Sequence, residues 1–230
     1  MSLLDGLMAY WKLDESSRYA DRADSHGGHT LWQEYGPYVI NAVVNNGVSL
    51  GPGYLYADDH PDLQPLSSDF TLAFWFQDSG YSDGQVLIQK GDSTYEYRIE
   101  LEYDSLSGRH YVWGKVSGAS ARGGYFISYN VWAHIALVIK NGVEITMYHN
   151  GSPEQTVTHT GPIAGGLGKL WVGYLYGQGG QGGNFDEIGI WKRALSTAEI
   201  QQLVSNGNGL SYPFGEVPAK ASPFLMFLGI

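Results

Sequence analysis

The chain has 230 residues, 43% of them hydrophobic, with 17 Tyr, 7 Trp, 8 Phe and 32 Gly. That is enough apolar material for one sizeable core, with the aromatics and turn formers of short strands rather than long helices. The formal charge of −10 leaves no basic footprint for a phosphate backbone, and the absence of cysteine excludes disulfides, thiol catalysis and cysteine-based metal sites.

The opening MSLLDGLMAYWKLDE has neither a basic leader nor a long apolar stretch, so no signal peptide is expected. No window reaches the roughly 18 apolar residues of a membrane span. Residues 7–13 read as a first strand, followed by a polar stretch to residue 28. GVSL and GYLYA flank a Gly51-Pro52-Gly53 turn. FTLAFWFQ (70–77) puts Phe70, Leu72, Phe74 and Phe76 on one face and Thr71, Ala73 and Trp75 on the other; apolar on both faces, it is expected at the centre of a sheet.

YEYRIELEY (95–103) alternates more cleanly than any other segment. Tyr97, Ile99, Leu101 and Tyr103 share one face; Glu96, Arg98, Glu100 and Glu102 share the other, which is expected to be solvated. HYVWGKV and YFISY continue the series. A meander follows, punctuated by Asn141-Gly142 and Asn150-Gly151, the strongest short-range hairpin signals. KLWVGYLY and FDEIGIW complete about a dozen strands at the spacing of a sandwich or jelly roll. Between them, YGQGGQGGN reads as a flexible loop at one end of the sandwich.

One helix is specified locally over residues 196–206. Ser196 and Glu199 are placed for a capping box, Leu195 and Ile200 for a hydrophobic staple, and Gly207 for a left-handed stop. Ile200, Leu203 and Val204 form its apolar stripe. One domain is expected over residues 1–209, then a Pro-punctuated apolar tail over 210–230.

GLMAYWKLDE, DSHGGHTL, SDFTLAFWFQ, VWAHIALVI, MYHNG and FDEIGIWKRALSTAEIQQL occur in this order. Together they resemble the laminin G-like, concanavalin A-like lectin-glucanase jelly-roll modules of bacterial surface proteins and phage structural proteins. The resemblance covers residues 5–209. It implies an all-β, concanavalin A-like jelly-roll sandwich of two antiparallel sheets, one of them curved, with a short helix near the C-terminus. It also implies that Trp11, Trp75, Trp132 and Trp191 are core landmarks, and that His134 is a hydrogen-bonded core residue.

Modules of this kind often carry a structural calcium ion held by oxygen ligands. The matching acidic positions are Asp14, Asp24 and Asp186. Asp186 interrupts an apolar strand; without calcium it must accept turn N–H groups or pair with Arg193. Laminarinase-like relatives need an E-x-D-x-x-E pattern on one strand, with carboxylates roughly 5 Å apart for retention. EYRIELE lacks that spacing and its Asp, so catalysis is not expected. Asp24, His26 and His29 are close in sequence, but His-x2-His is tighter than usual zinc spacing, and a polar surface loop is expected.

Sugars present apolar C–H faces beside hydroxyls, so flat rings next to polar groups suit them. Trp113 shares a strand face with Tyr111, opposite Val112 and Val116, and Trp171 points opposite Leu170 and Val172. Both tryptophans are therefore expected to be exposed, with Tyr174 and Tyr176 beside the glycine run completing a glycan-contact set. In the tail, Phe224, Leu225, Phe227 and Ile230 form an apolar segment suited to docking on its own sandwich or in an assembly.

The expected function is a non-catalytic carbohydrate-recognition and adhesion module for cell-surface polysaccharide, displayed on a phage particle as a capsid decoration or tail component. Such a protein is made in the host cytoplasm; a bacterial surface or extracellular place is the alternative. Capsid or tail proteins, and further copies of the chain in a homo-oligomer, are its expected protein partners. The rival readings are a purely structural virion cement docking through its tail and, third, a glycoside hydrolase.

Overall fold

A computed structural model describes residues 1–80, 84–107, 109–117, 119–163, 168–175 and 177–215, the side chains of 124–126 excepted. In chain order the strands begin with β1 (Leu7–Trp11), β2 (Trp32–Glu34), β3 (Tyr38–Asn41), β4 (Asn46–Ser49), β5 (Tyr54–Ala57) and β6 (Phe70–Gln77). Next are β7 (Val86–Lys90), β8 (Tyr97–Asp104), β9 (Arg109–Val116), β10 (Ala119–Phe126), β11 (Trp132–Lys140) and β12 (Glu144–His149). The series ends with β13 (Ser152–Thr158), β14 (Leu170–Val172), β15 (Tyr174–Leu175), β16 (Gly179–Gly180) and β17 (Asn184–Trp191). A single α-helix, α1 (Thr197–Val204), follows among the described residues, and none there is long and apolar enough to cross a membrane.

The strands form two large antiparallel sheets. One runs β13-β12-β11-β6-β17-β4-β3, with β1 also paired to β17; the other runs β10-β9-β8-β7-β14-β5-β2. As its two apolar faces required, β6 is central, bonded to β11 and β17. Phe70, Leu72, Phe74 and Phe76 meet Leu87, Ile88, Ile99, Leu101, Val112 and Val172 in the core between the sheets. Close packing reaches its limit at Gly114, where a Cβ would lie 2.3 Å from Met147 Sδ across the sandwich.

A second, smaller apolar cluster lies on the other side of the first sheet. Tyr10, Ala73, Ala136, Val138, Tyr148 and Trp191 project there and are covered by Leu195, Ile200 and Leu203. The capping box forms as read: Glu199 N–H donates to Ser196 Oγ, and Ser196 N–H donates to Glu199 Oε2. The helix stops earlier than expected. Ser205 and Asn206 already adopt left-handed φ of 46° and 56°, so the chain leaves the helix before Gly207.

Both Asn-Gly turns form. Asn150 (φ 48°) and Gly151 (φ 83°) make the two-residue connection between paired His149 and Ser152, the left-handed pair that matches strand twist. The loop at Gly142 is one residue longer, closing on Lys140 and Glu144. The glycine run, expected as a loop, contributes β16, which pairs with β15. At Gly180 a Cβ would lie 2.3 Å from the Pro52 carbonyl; only glycine lets this hairpin lie against the Gly51–Gly53 turn.

The start of the expected tail folds back onto the domain. Tyr212 stacks on Tyr10 at 5.4 Å and Phe214 meets it edge-on at 4.9 Å.

Candidate functional site

The outer face of the seven-stranded sheet is set by register. Leu170, Val172, Ile99, Val112 and Val116 turn into the core, so the alternating residues turn out. Across the strands one row reads Trp32, Tyr56, Trp171, Gln89, Arg98, Lys115 and Ser120. A second places Glu100, Trp113 and Arg122 side by side, and a third pairs Glu102 with Tyr111. Trp113 and Trp171 therefore share one face, three strand spacings (about 14 Å) apart across the sheet and two residues apart along the strands.

One end of this face is aromatic. Trp171 packs against Tyr174 (4.5 Å between centroids), Tyr56 (5.6 Å) and Tyr54 (5.8 Å), and Tyr54 meets Tyr174 at 4.3 Å. Trp171 Nε1 donates to Asp92 Oδ1 at 2.9 Å, and the Lys169 ammonium sits 3.7 Å over the Tyr56 ring. This corrects the expectation that Trp171 is exposed. It does point away from the core, but the tyrosines leave it 8% accessible, whereas Trp32 at the end of the row is 43% accessible. Burial, with Glu34 nearby, raises the Tyr54 pKa.

The other end is a charge lattice. Arg98 Nε donates to Gln89 Oε1 at 2.7 Å and Nη1 to Glu100 Oε2 at 3.2 Å. Lys115 Nζ donates to Glu100 and, at 2.6 Å, to Glu102. Burial would lower the Lys115 pKa, but the two carboxylates outweigh it and raise it. The face is thus not simply solvated: Glu100 and Glu96 are buried, and Glu96 lies 3.7 Å from the buried Lys90 ammonium. Rings sit among these charges. Arg122 covers Tyr111 at 4.2 Å, Arg98 covers Tyr95 at 4.3 Å, and Lys115 lies 5.8 Å from the Trp113 ring.

Of the three expected metal-binding carboxylates, Asp14 and Asp186 flank the segment 44–46, close enough for Asp14 to help raise the Asp186 pKa, and Asp24 serves a separate loop. Asp24 accepts N–H groups from Tyr10, His26 and His29 at 2.8–2.9 Å, fastening that loop to β1. Asp14 accepts from Asn46 N at 3.2 Å and pairs with Lys12 at 3.1 Å. Asp186 accepts from Val44 N at 2.8 Å; Arg193 instead pairs with Glu199. Among the described residues, these three carboxylates do not all bring an oxygen within 4.8 Å of one another.

Simple alternation fails at Asp186. A bulge between Asp186 and Gly189, with Glu187 at φ 49°, puts both acids under the helix layer rather than on opposite faces. Burial raises both carboxyls to about 8, which favours their protonated forms. Glu187 and His134 line one void of ≈ 10 Å³ with Tyr10 and Trp75. His134 is buried as expected, but its Nδ1 makes no hydrogen bond; burial lowers its pKa to about 3, and its ring stands edge-on to Trp75 at 5.3 Å. Trp11, Trp75 and Trp191 are core as expected; Trp132 is only half-buried and lines a cleft of ≈ 520 Å³ with Trp75, Asn150 and Gln201.

One constellation was missed. His29, His60 and Asp62 bring a donor atom each within 4.8 Å of one another. Sequence spacing paired His29 with His26, but His26 turns to the Tyr212 hydroxyl, 3.2 Å away. Of the remaining expected residues, Tyr176, Phe224, Leu225, Phe227 and Ile230 lie outside the described residues.

A family model described as the concanavalin A-like lectin/glucanases superfamily matches residues 51–201. No curated protein sequence matches. Among solved structures, the binding domain of Paraclostridial Mosquitocidal Protein 1 superposes with TM-score 0.70 at 17% identity, over 88% of this chain and 52% of its own. Domain 4 of the GH43 extracellular arabinanase AbnA of Geobacillus stearothermophilus, solved with arabinotriose, gives TM-score 0.65 at 16% identity, over 85% and 96%. A botulinum neurotoxin type C structure gives 0.67 at 11%, over 88% and 51%; that toxin's access to cells depends on two ganglioside molecules. The chain thus spans about half the length of the two toxin structures.

Proposed function

The chain belongs to the concanavalin A-like lectin/glucanases superfamily, and from that premise we propose that it is a non-catalytic carbohydrate-recognition module. Its ligand surface is the outer face of the seven-stranded sheet. The observation that carries this reading is the cross-strand placement of the accessible or half-buried Trp32, Tyr56 and Trp113 on one face with Arg98 and Lys115.

Stacked rings offer flat apolar area for sugar C–H faces, and the adjoining charges supply donors and acceptors for hydroxyls. Because Arg98, Lys115 and Gln89 are already held by partners, little side-chain freedom is lost when a ligand binds. The same pairing argues against hydrolysis at this face: Glu100 and Glu102 share one lysine, so neither is poised as a free acid or base. The fold likeness to an arabinanase domain solved with arabinotriose and to a ganglioside-dependent toxin supports a glycan ligand. Display on a phage particle or a bacterial surface, with the apolar tail as the docking segment, completes the proposal.

The test is a glycan array with the full-length protein in calcium-containing buffer. Selective binding to one sugar class is expected. Silence across bacterial and host glycans, from protein shown to be folded, would overturn the reading.

A further inference from the structure

We propose that His29, His60 and Asp62 form a mononuclear site for a divalent cation of the zinc class, beside the Trp32 end of the outer sheet face. The three residues come from two segments that the fold brings together, the loop before β2 and the 3-10 turn Pro61–Leu63 with its N-cap His60.

The first argument is donor chemistry. Two imidazoles and one carboxylate suit zinc and its neighbours; calcium and magnesium prefer all-oxygen sets. The second is distance. Asp62 Oδ2 lies 3.3 Å from His29 Nε2 and 3.3 Å from His60 Nδ1. That is long for a charge-assisted hydrogen bond, but bonds of about 2.0–2.1 Å to a tetrahedral zinc require donor–donor edges of about 3.3–3.4 Å. The third is the state of His60. Its Nδ1 accepts the Asp62 backbone N–H at 3.2 Å, so in that role this nitrogen carries no proton, and a cation would take its one lone pair in exchange for that weak capping bond.

The surroundings are consistent with a prepared site. His29 is fixed from behind: its N–H donates to Asp24 Oδ2 at 2.8 Å, and its carbonyl accepts from Nε1 of the fully buried Trp11 at 2.5 Å. Asp24, expected as a ligand itself, instead positions the loop that carries one, as outer-shell groups do around metal sites. Lys192 Nζ stands 4.0 Å from Asp62 Oδ1 and so engages the other carboxylate oxygen. His60 and Asp62 are partly exposed, leaving their side chains free to rotate and close the remaining edge. A cleft of ≈ 210 Å³ lined by Gly28, Thr30, Trp32 and Asp58 adjoins the two histidines, so a three-residue site keeps a position open to water or a ligand donor.

The experiment is calorimetric titration of tag-free, full-length protein with Zn²⁺, and separately with Ca²⁺. One equivalent of Zn²⁺ is expected to bind, unaffected by excess Ca²⁺. His60→Asn, which retains a capping acceptor for the turn, and Asp62→Asn should each weaken binding by roughly tenfold or more. His26→Ala should bind as the parent does. Failure of the folded parent to bind Zn²⁺ saturably would overturn the site, as would undiminished binding by both His60→Asn and Asp62→Asn.

Discussion

The two sheets bury similar inner faces and present opposite outer ones. Outside the eight-stranded sheet lie Tyr10, Ala73, Ala136, Val138 and Trp191, and the chain covers them itself with α1 and with Leu210, Tyr212 and Phe214. Outside the seven-stranded sheet lie rings interleaved with ion pairs, with no helix laid over them among the described residues. The contrast shows how a jelly roll separates its tasks. An apolar outer face must be covered for stability, whereas a face whose charges are already paired can stay open and wait for a ligand.

The largest effect should come from uncovering the closed face. Ile200→Ala or Leu203→Ala should cost about 2–5 kcal/mol in chemical or thermal unfolding, the usual range for emptying a buried aliphatic site. Glycan binding by the remaining folded protein should be unchanged; if it fell equally, the two faces would not be functionally separate.

The buried acids under that face give a pH signature. Asp186 and Glu187 are raised to about 8 in the folded protein, above the ordinary carboxyl value of about 4. Between those values the folded state holds more protons than the unfolded chain. Stability therefore falls as pH rises through this window, and the loss is complete above about 8. Glu187→Gln should flatten the decline, melting higher than the parent at pH 9 and converging with it toward about pH 4. Parallel melting curves across the range would contradict the burial argument.

On the open face, Trp113→Ala should reduce affinity for an array-selected glycan by roughly tenfold, about 1.4 kcal/mol. The smallest effect concerns the helix cap. Ser196→Ala removes the acceptor for Glu199 N–H and should cost about 1 kcal/mol of stability, read from denaturant titration, with no change in ligand binding.

Local features were legible in the sequence and long-range ones were not. The capping box and both Asn-Gly turns depend on residues within a few positions, and all are found in the structure. The central place of β6 followed from two apolar faces. By contrast, β2 and β3 are short and largely polar, carrying little periodic signal. The bulge at Glu187 breaks strict alternation, and nothing in FDEIGIW announces it. Trp171 lies on the expected side of its strand, but besides the nearby Tyr174 its cover comes from Tyr54 and Tyr56, more than a hundred residues earlier in the chain. His29 and His60 meet only because two loops fold together. In each case the missing information was which distant segment lies alongside.

The most direct test of the central claim is one calorimetric comparison. An array-selected oligosaccharide would be titrated into the parent, a Trp32→Ala/Trp113→Ala double variant, and Trp132→Ala, which alters the cleft beside the helix on the other sheet. Loss of binding in the double variant with affinity retained in Trp132→Ala is the predicted result. Retention in the double variant with loss in Trp132→Ala would contradict the account and move the ligand site to the opposite side of the molecule.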